Sequence, residues 1–289
     1  MTINKTKRPE ITKSDRPKTQ IIDVRDEYNE IKSFPITGEL PLTIYVNKKE
    51  VVTLMTLGHY PESLVIGYLR NQGFISSLYD LDSVQVDWDT NSAAVKTVSS
   101  INDFDNKLTH KVVTSGCGQG TTFGGIWDDL QKKNLMTKRI KQSSIYKILK
   151  LLHDKNEIYR LSGAVHGCAI CDKDQIIDFI EDVGRHNAVD AIAGNMWLDD
   201  IKSDNKIFYT TGRLTSEMVI KVAQMNIPYL ISRSGITEMG LNIAKETGVT
   251  LIGRAKGRHF LAYHGSENID FDAKPDPRPD NSSDIWKRR

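Results

Sequence analysis

The segment around Cys117 combines residue types that suit sulfur chemistry. Cys117 lies between Gly116 and Gly118, and five of the ten residues at 116–125 are glycine. Glycine leaves the sulfur without steric cover and lets backbone N–H groups point at it, which stabilises a thiolate or a persulfide anion. The pattern predicts a nucleophilic cysteine on an irregular loop. The alternative is a small buried hydrophobic residue in a tight turn.

The other two cysteines follow His166 at a spacing that superficially offers zinc three ligands. If residues 164–171 form a strand, His166 and Cys168 face one side and Cys171 faces the other, so the three cannot converge. A zinc deaminase would also need a glutamate two residues after the histidine, where Cys168 stands. We therefore expect core cysteines rather than a metal site. A total of three cysteines also does not suit a disulfide framework.

Basic residues follow four predicted strands at the points where those strands end. The carboxyl ends of parallel strands meet at one edge of a sheet, where open α/β folds bind ligands. Three of the four positions also precede a predicted helix, whose N-terminal amides attract anions. The pattern predicts a large ligand with several phosphates; the alternative for each residue taken alone is a solvated loop side chain. The residues are Arg185, Arg213, Arg233, Arg254, Lys256 and Arg258.

Residues 181–188 place two acids, a glycine, two bases and an amide between a predicted strand and a predicted helix. A turn does not require such a density of polar groups. Histidine ordinarily titrates near neutral pH, so an acid–base role for His186 is one interpretation. A capping or structural hydrogen-bonding role is the other.

The elements of the first half follow from short-range patterns. Period-two alternation of apolar residues predicts two β-hairpins, over residues 40–52 and 82–98. Pro61 suits the first turn of a helix that continues over residues 62–71. We expect these elements to form a small α+β unit.

The second half has a different pattern. An apolar stripe predicts a helix that begins at Ser144. After residue 163 strands alternate with helices, which implies right-handed crossovers and a largely parallel sheet covered on both faces. The predicted strands are residues 164–171, 175–180, 206–210, 228–232 and 249–253, and the predicted helices are residues 186–198, 216–225 and 237–247.

Composition restricts the class of protein. The chain has 289 residues, of which 39% are hydrophobic and 26% charged, which suits a soluble globular protein of one or two domains. No stretch reaches the roughly 18 apolar residues of a membrane helix, and residues 1–18 do not resemble a signal peptide. With 39 basic and 37 acidic residues, the charge balance does not indicate nucleic-acid binding. We expect a cytoplasmic protein that binds neither nucleic acid nor membranes.

These patterns divide the chain into five segments. Polar stretches at both ends contain proline and few apolar residues, and we expect them to be poorly ordered. The segments are a flexible lead-in at residues 1–33, a small α+β domain at 34–113, a Gly-rich active loop and connector at 114–143, an α/β domain at 144–265 and a flexible tail at 266–289.

Motifs spread over residues 38–265 resemble those of the FdhD/NarQ family, the formate dehydrogenase accessory sulfurtransferases. The run Glu-Asp-Val-Gly-Arg-His at residues 181–186 is the most specific of them. The motifs are ELPLT at residues 39–43 with VN at 46–47, SGCG at 115–118, GAVH at 163–166, EDVGRHNA at 181–188 with Asp190, TGR at 211–213 with SEMV at 216–219, and LIG at 251–253.

The resemblance implies an α/β fold similar to cytidine deaminases, a three-layer sandwich with a smaller N-terminal α+β domain, in a homodimer. It implies a protein that accepts sulfane sulfur from a cysteine desulfurase and holds it as a persulfide. The acceptor is the bis(molybdopterin guanine dinucleotide) form of the molybdenum cofactor, which then enters formate dehydrogenase. Cys117 falls on the persulfide cysteine, and no structural metal is expected. The cofactor-binding segment falls on Arg254, Ala255, Lys256, Gly257, Arg258 and His259, and the basic edge adds Arg185, His186, Arg213 and Arg233.

The sequence departs from the family pattern at two places. Family members commonly carry Cys-x-x-Cys in the loop, whereas here Gly120 occupies the second cysteine position. A resolving disulfide within the motif is therefore impossible, and a sulfur relay must use Cys117 alone. Residues 254–259 also lack the expected aromatic lead residue. Two alternatives stay open: a non-catalytic chaperone for the molybdenum cofactor, and a zinc nucleoside deaminase.

Overall fold

Two large sheets organise the part of the chain that the computed structural model describes, namely residues 7–101, 112–113, 120–121, 135 and 138–275. The helices are α1 (Pro61–Asn71), α2 (Gln142–Lys155), α3 (Glu157–Ser162), α4 (Arg185–Leu198), α5 (Ser216–Gln224) and α6 (Glu238–Thr247). The first strands are β1 (Glu10–Ile11), β2 (Thr19–Arg25), β3 (Ile31–Thr37), β4 (Leu40–Val46), β5 (Lys49–Thr56), β6 (Leu81–Asp87), β7 (Ser92–Thr97), β8 (Val112–Val113) and β9 (Gly120–Thr121). The remaining strands are β10 (Ile140–Lys141), β11 (His166–Asp172), β12 (Gln175–Asp182), β13 (Lys206–Thr210), β14 (Tyr229–Ser232), β15 (Thr250–Lys256), β16 (His259–His264) and β17 (Ile269–Asp270).

The N-terminal sheet has the strand order β1-β6-β7-β4-β5 and contains both predicted hairpins. Asn47 and Lys48 connect β4 to β5 with positive φ angles of 49° and 71°, which is the geometry that a two-residue hairpin loop requires. The helix α1 begins at Pro61, as predicted, and connects the two hairpins. The expected small α+β unit is therefore present.

The predictions for both chain ends differ from the structure. Within the expected lead-in, β2 pairs with β3 as an antiparallel hairpin, and the Thr37 hydroxyl at its base contacts the hydroxyl of Ser162 in α3. Within the expected tail, β17 pairs with β10, and Ile269 is completely buried. The polar composition concealed the β2–β3 hairpin, and β17 pairs with a distant strand, which leaves no local pattern.

The second sheet has six strands in the order β12-β11-β13-β14-β15-β16. It is mixed rather than largely parallel, since only the pairs β13–β14 and β14–β15 are parallel. The short turns between β11 and β12 and between β15 and β16 make hairpins, which force antiparallel pairing. Because β11 is antiparallel to both β12 and β13, the strands β12, β13, β14 and β15 still run in one direction. Their carboxyl ends therefore share one edge, as the sequence predicted.

Helices cover both faces of the second sheet. On one face α2 packs through the predicted stripe, which includes Ile145 and Leu152, against Ile207 and Ile231. On the other face α4, α5 and α6 pack in the larger hydrophobic cluster, which continues through α1 into the N-terminal sheet. The described residues thus form a mixed α/β structure in which the second sheet lies between two helical layers.

The helices α1 and α4 cross at glycine. A Cβ atom at Gly67 would lie 1.6 Å from the carbonyl oxygen of Asp190, and one at Gly194 would lie 2.0 Å from that of Ser63. No side chain fits at such distances, so each helix approaches the other through a position without one. This contact packs α1, which connects the hairpins of the N-terminal sheet, against α4, the helix that begins with Arg185.

Candidate functional site

An open cavity of about 480 Å³ lies at the carboxyl edge of β13 and β14. Part of its lining is polar and basic, with His166 at the start of β11, Thr211 after β13, and Arg233 and Ser234 after β14. Because β11 runs antiparallel to β13, its first residue reaches the same edge. A volume of this size accommodates a part of a ligand about as large as one nucleotide.

The remaining lining of the cavity is mainly apolar. Val165 and Val183 contribute to it, and Tyr159 and Gly163 of the α3 segment border one side. Val165 and Val183 also pack with Ile158 in a small hydrophobic cluster, which supports this part of the wall. A lining with one apolar and one cationic part suits a ligand that joins a ring system to an anionic group.

Hydrogen bonds between the loops after β13 and β14 hold the basic wall in place. The Ser232 hydroxyl donates to the Gly212 carbonyl at 2.6 Å, and the Ser234 hydroxyl donates to the Thr211 carbonyl at 2.8 Å. The N–H group of Ser234 in turn donates to the Ser232 hydroxyl at 2.8 Å. The two loops that carry arginines therefore support one another, and a ligand would meet a preformed surface.

Three further arginines lie where β12, β13 and β15 reach this edge of the sheet. Burial lowers the pKa of His166, and the charges of Arg185 and Arg213, which follow β12 and β13, lower it further. The N–H group of Arg254 donates to the carbonyl of Ser234 at 2.8 Å. Arg233 thus lines the cavity, and Arg185, Arg213 and Arg254 lie at the same edge of the sheet.

The cofactor-binding segment expected at residues 254–259 is a strand end and a turn. β15 continues three residues beyond its expected end, to Lys256, and Gly257 with a φ of 60° turns the chain into β16. Arg254 and Lys256 are exposed while Ala255 between them is 1% exposed. The strand was underestimated because its last residues are charged, although their alternation is that of a half-buried strand.

The rest of this segment extends away from the loops after β13 and β14. The Arg258 guanidinium carbon lies 5.4 Å from the ring centroid of Tyr146 in α2, and the guanidinium also donates to the carbonyl of Lys274. Lys256 and His259 are exposed on either side of the turn. Arg258 is therefore in contact with the helical layer formed by α2.

Arg185 and His186 begin α4 and are buried, with 4% and 1% of their surfaces exposed. Burial lowers the pKa of His186 to about 2, and Lys221 and Arg185 contribute to the shift. The neutral imidazole places Nε2 3.3 Å from a carboxylate oxygen of Glu217. Of the two roles that the sequence left open for His186, this environment favours the structural one.

A buried ionic group lies beneath the site, and sequence reasoning did not identify it. The Lys221 ammonium lies 2.8 Å from an oxygen of Asp190 and 3.7 Å from an oxygen of Glu217. Asn71 of α1 donates to the second oxygen of Asp190 at 2.7 Å. A signal was present, because Glu217 and Lys221 place opposite charges four residues apart among the buried apolar residues of α5. The group connects α1, α4 and α5.

The acids that end β12 are structural anchors. Both oxygens of Glu181 accept N–H groups at 3.0 Å, from Ile158 and from Tyr159 at the start of α3. One oxygen of Asp182 accepts the Thr56 hydroxyl at 2.6 Å. The other accepts the Asn187 side chain at 2.8 Å and so fixes the first turn of α4. Polar groups are therefore dense at residues 181–188 because the two acids hold the start of α3, Thr56 and the first turn of α4 in place.

Cys168 and Cys171 are core residues. Both are completely buried, and burial raises the pKa of each thiol to about 12. They belong to different hydrophobic clusters, on opposite faces of the sheet, as strand geometry predicted. Within the described part of the chain, no three His, Cys, Asp or Glu side chains come close enough to hold a metal ion.

The segment that carries Cys117 lies outside the described residues. The strands β8 and β9 on either side of residues 114–119 pair antiparallel, with Val113 opposite Gly120.

Among the described helices, none combines the length and apolar character that a bilayer crossing requires.

Comparisons with known proteins agree with the motifs. A model of the FdhD/NarQ family matches residues 37–270. The sulfur carrier protein FdhD of Listeria monocytogenes (serotype 4b, strain F2365) is 32% identical over 246 residues, which cover 84% of this chain and 94% of that protein. The sulfur carrier protein FdhD of Bacillus subtilis (strain 168) is 29% identical over 255 residues, covering 87% and 97% of the two chains.

A solved structure shows the same fold. The crystal structure of a protein from Desulfotalea psychrophila, described as a formate dehydrogenase accessory protein, superposes with a TM-score of 0.69. The match covers 88% of this chain and 100% of that one, at 23% identity. Together with the family model, which spans most of the chain, these matches confirm the resemblance seen in the motifs: the protein belongs to the FdhD/NarQ family.

Proposed function

We propose that the protein is a sulfur carrier for formate dehydrogenase, with Cys117 as the residue that carries the sulfur. The listerial and bacillar relatives are named sulfur carrier proteins, and a sulfur carrier needs an accessible thiolate. Of the three cysteines, Cys168 and Cys171 are poor nucleophiles, because both thiols are buried and their pKa values are raised. Cys117, with glycine on both sides, is the cysteine that suits this role.

The chemistry transfers one sulfur atom in two steps. The Cys117 thiolate attacks the terminal sulfur of a cysteine desulfurase persulfide, so that a new S–S bond forms and the desulfurase thiolate leaves. The terminal sulfur then moves to the molybdenum of the bis(molybdopterin guanine dinucleotide) cargo, and the Cys117 thiolate is released. Two electrons from the metal convert the sulfane sulfur to a sulfido ligand.

The observation that carries the cargo assignment is the cavity at the shared edge of β12 to β15. Arg233 lines it, Arg185 and Arg213 follow β12 and β13 at the same edge, and Arg254 is joined through its backbone N–H to Ser234 in the lining. Guanidinium groups bind phosphate oxygens through paired hydrogen bonds. The cavity volume of about 480 Å³ suits one phosphorylated arm of the cargo rather than the whole of it. We assign this arm of the cargo to Arg213, Arg233 and Arg254, whereas Arg185 and His186 are buried and support the site, and Arg258 contacts α2 instead.

The carrier role predicts that one sulfur atom can be loaded onto Cys117. The protein is incubated with a cysteine desulfurase and cysteine, and its intact mass is measured without reductant. We expect a gain of one sulfur atom in the wild type and none in Cys117→Ala, since the other two thiols are buried. Peptide mapping that places the sulfur on Cys168 or Cys171, or a gain retained in Cys117→Ala, would refute the assignment.

A chaperone that delivers the cofactor without transferring sulfur is the second candidate function. Gly120 favours it, because this residue occupies the position of the second loop cysteine of the family. Formate dehydrogenase activity in a host that lacks its own copy of the protein separates the two. Activity that survives Cys117→Ala but is lost in Arg254→Ala supports the chaperone, whereas loss in both supports the carrier.

We also propose that the protein is a homodimer. The hairpin of β2 and β3 exposes Ile21 and Ile31 at 74% and 65%, and an isolated two-stranded hairpin is only marginally stable in water. A second copy would cover these side chains. Light scattering after size exclusion should give twice the chain mass, and a monomer for the variant with Ile21→Lys and Ile31→Lys. A wild-type monomer at micromolar concentration would contradict the proposal.

A further inference from the structure

The ring of Tyr159 borders the cavity opposite a guanidinium group. Tyr159 is 43% exposed, whereas its neighbour Ile158 is 4% exposed, so the tyrosine lies on the open side of α3. The guanidinium carbon of Arg233 lies 6.0 Å from the centroid of the tyrosine ring, over its face. Both residues line the same cavity. The exposed face of the Tyr159 ring and the guanidinium of Arg233 thus lie on either side of space that a ligand can enter.

The backbone of Tyr159 is held at two points. Its N–H group donates to Glu181 at 3.0 Å, and its carbonyl accepts the N–H group of Gly163 at 2.8 Å. Glu181 is itself 6% exposed in β12, so the ring is mounted on the sheet rather than on a free loop. Arg233 is anchored similarly, since its N–H group donates to the carbonyl of Thr210 at 3.1 Å. Fixed partners bind a rigid ring at low entropic cost.

The spacing between the two groups favours insertion over direct contact. At 6.0 Å the guanidinium is at the outer limit of a cation–π interaction with Tyr159. A flat ring between them needs two van der Waals contacts of about 3.5 Å, or about 7 Å in total. The exposed side chain of Arg233 supplies the difference by a small movement. Val165 and Val183 complete a lining that suits the edge of an apolar ring.

We propose that Tyr159 and Arg233 sandwich a planar, fused nitrogen heterocycle of the ligand. Bases stack on aromatic side chains and on guanidinium planes with little dependence on their identity. The inference rests on the proposed cargo, which offers two such rings, a pterin and a guanine. It assigns Arg233 to the ring and leaves the phosphates to Arg213 and Arg254. Tyr159 is then a ligand contact that fixes the position of the cargo.

Three probes test the sandwich by calorimetry on the full chain. Guanosine monophosphate and neopterin carry the two heterocycles, and pyrophosphate carries charge alone. We expect Tyr159→Phe to bind all three probes as the wild type does. Tyr159→Leu should lose about tenfold in affinity for the heterocycle that occupies the cavity, while its affinity for pyrophosphate stays unchanged. Arg233→Lys should show the same selective loss, because an ammonium keeps the charge but has no plane. The heterocycle that responds identifies the bound arm.

Tyr79→Leu is the matched control, since Tyr79 is 38% exposed and lies in a distant turn. It should bind every probe as the wild type does. The inference fails if Tyr159→Leu binds both heterocycles with wild-type affinity, or if its affinity for pyrophosphate falls as much as its affinity for the heterocycle. It also fails if Tyr79→Leu loses affinity for the heterocycle. In these cases the proposed cargo site stands as long as the wild type binds the probes. A wild type that binds none of the three overturns the cargo site and the sandwich together.

Discussion

Replacing Lys221 by alanine is expected to lower the free energy of unfolding by about 3 to 5 kcal/mol, because it leaves buried carboxylates without their counter-charge. Lys221 is completely buried, and its ammonium lies 2.8 Å from Asp190 and 3.7 Å from Glu217. Burial alone would lower the pKa of Lys221, but the two acids raise it above its usual value, so the side chain is charged. Urea denaturation followed by circular dichroism measures the loss.

The matched control removes a lysine that is exposed rather than buried. Lys245→Ala removes an exposed lysine from α6 and should change the free energy of unfolding by less than about 0.5 kcal/mol. Combining Lys221→Met with Asp190→Asn and Glu217→Gln removes every charge of the three and should recover part of the loss. A Lys221→Ala variant as stable as Lys245→Ala would contradict the expectation that the buried acids need the charge of the lysine.

The second large effect is expected at the crossing of α1 and α4. Gly194→Ala puts a Cβ atom 2.0 Å from the backbone carbonyl oxygen of Ser63, and neither atom can turn away as the end of a flexible side chain would. Relief requires the helices to separate, which opens the core, so we expect a loss of more than about 3 kcal/mol. Gly67→Ala should behave in the same way, with its Cβ atom 1.6 Å from the Asp190 carbonyl. Thermal unfolding measures both variants.

Gly235→Ala is the control for this pair. A Cβ atom there meets nothing within 4 Å, and the residue does not have a positive φ angle, so stability should be nearly unchanged. A mild effect at Gly194 and Gly67 would mean that the two helices can separate without cost. The N-terminal sheet and the six-stranded sheet would then be less firmly coupled than their shared core suggests.

Elements with local signals were predictable from the sequence. Threonine is a common N-cap and glycine a common residue just after a helix. The Thr237 hydroxyl caps α6 by accepting the N–H group of Gly240 at 3.2 Å, and Gly248 with a φ of 75° ends the helix, which agrees with the predicted range of residues 237–247. Pro61 marks the start of α1 in the same way. Such caps and turns depend on a few adjacent residues, which is why the pattern alone was sufficient.

Features that depend on distant contacts were not predictable. The directions of β11 and β16 follow from pairing, and the pairing of β17 with β10 joins residues more than a hundred positions apart. For the site, the arginine edge was predicted because β12 to β15 end together. The contacts of Arg258 with Tyr146 and of Arg233 with Tyr159 could not be predicted, since each joins residues that lie far apart in the sequence.

The neighbouring acids Glu181 and Asp182 have a consequence for how this fold can vary. Consecutive residues of a strand point to opposite faces, and here one acid holds α3 beside the cavity while the other holds Thr56 of the N-terminal sheet. Inserting or deleting one residue within β12 before this pair would reverse both directions at once. Length changes in homologous chains should therefore fall outside β12, in the loops that flank it.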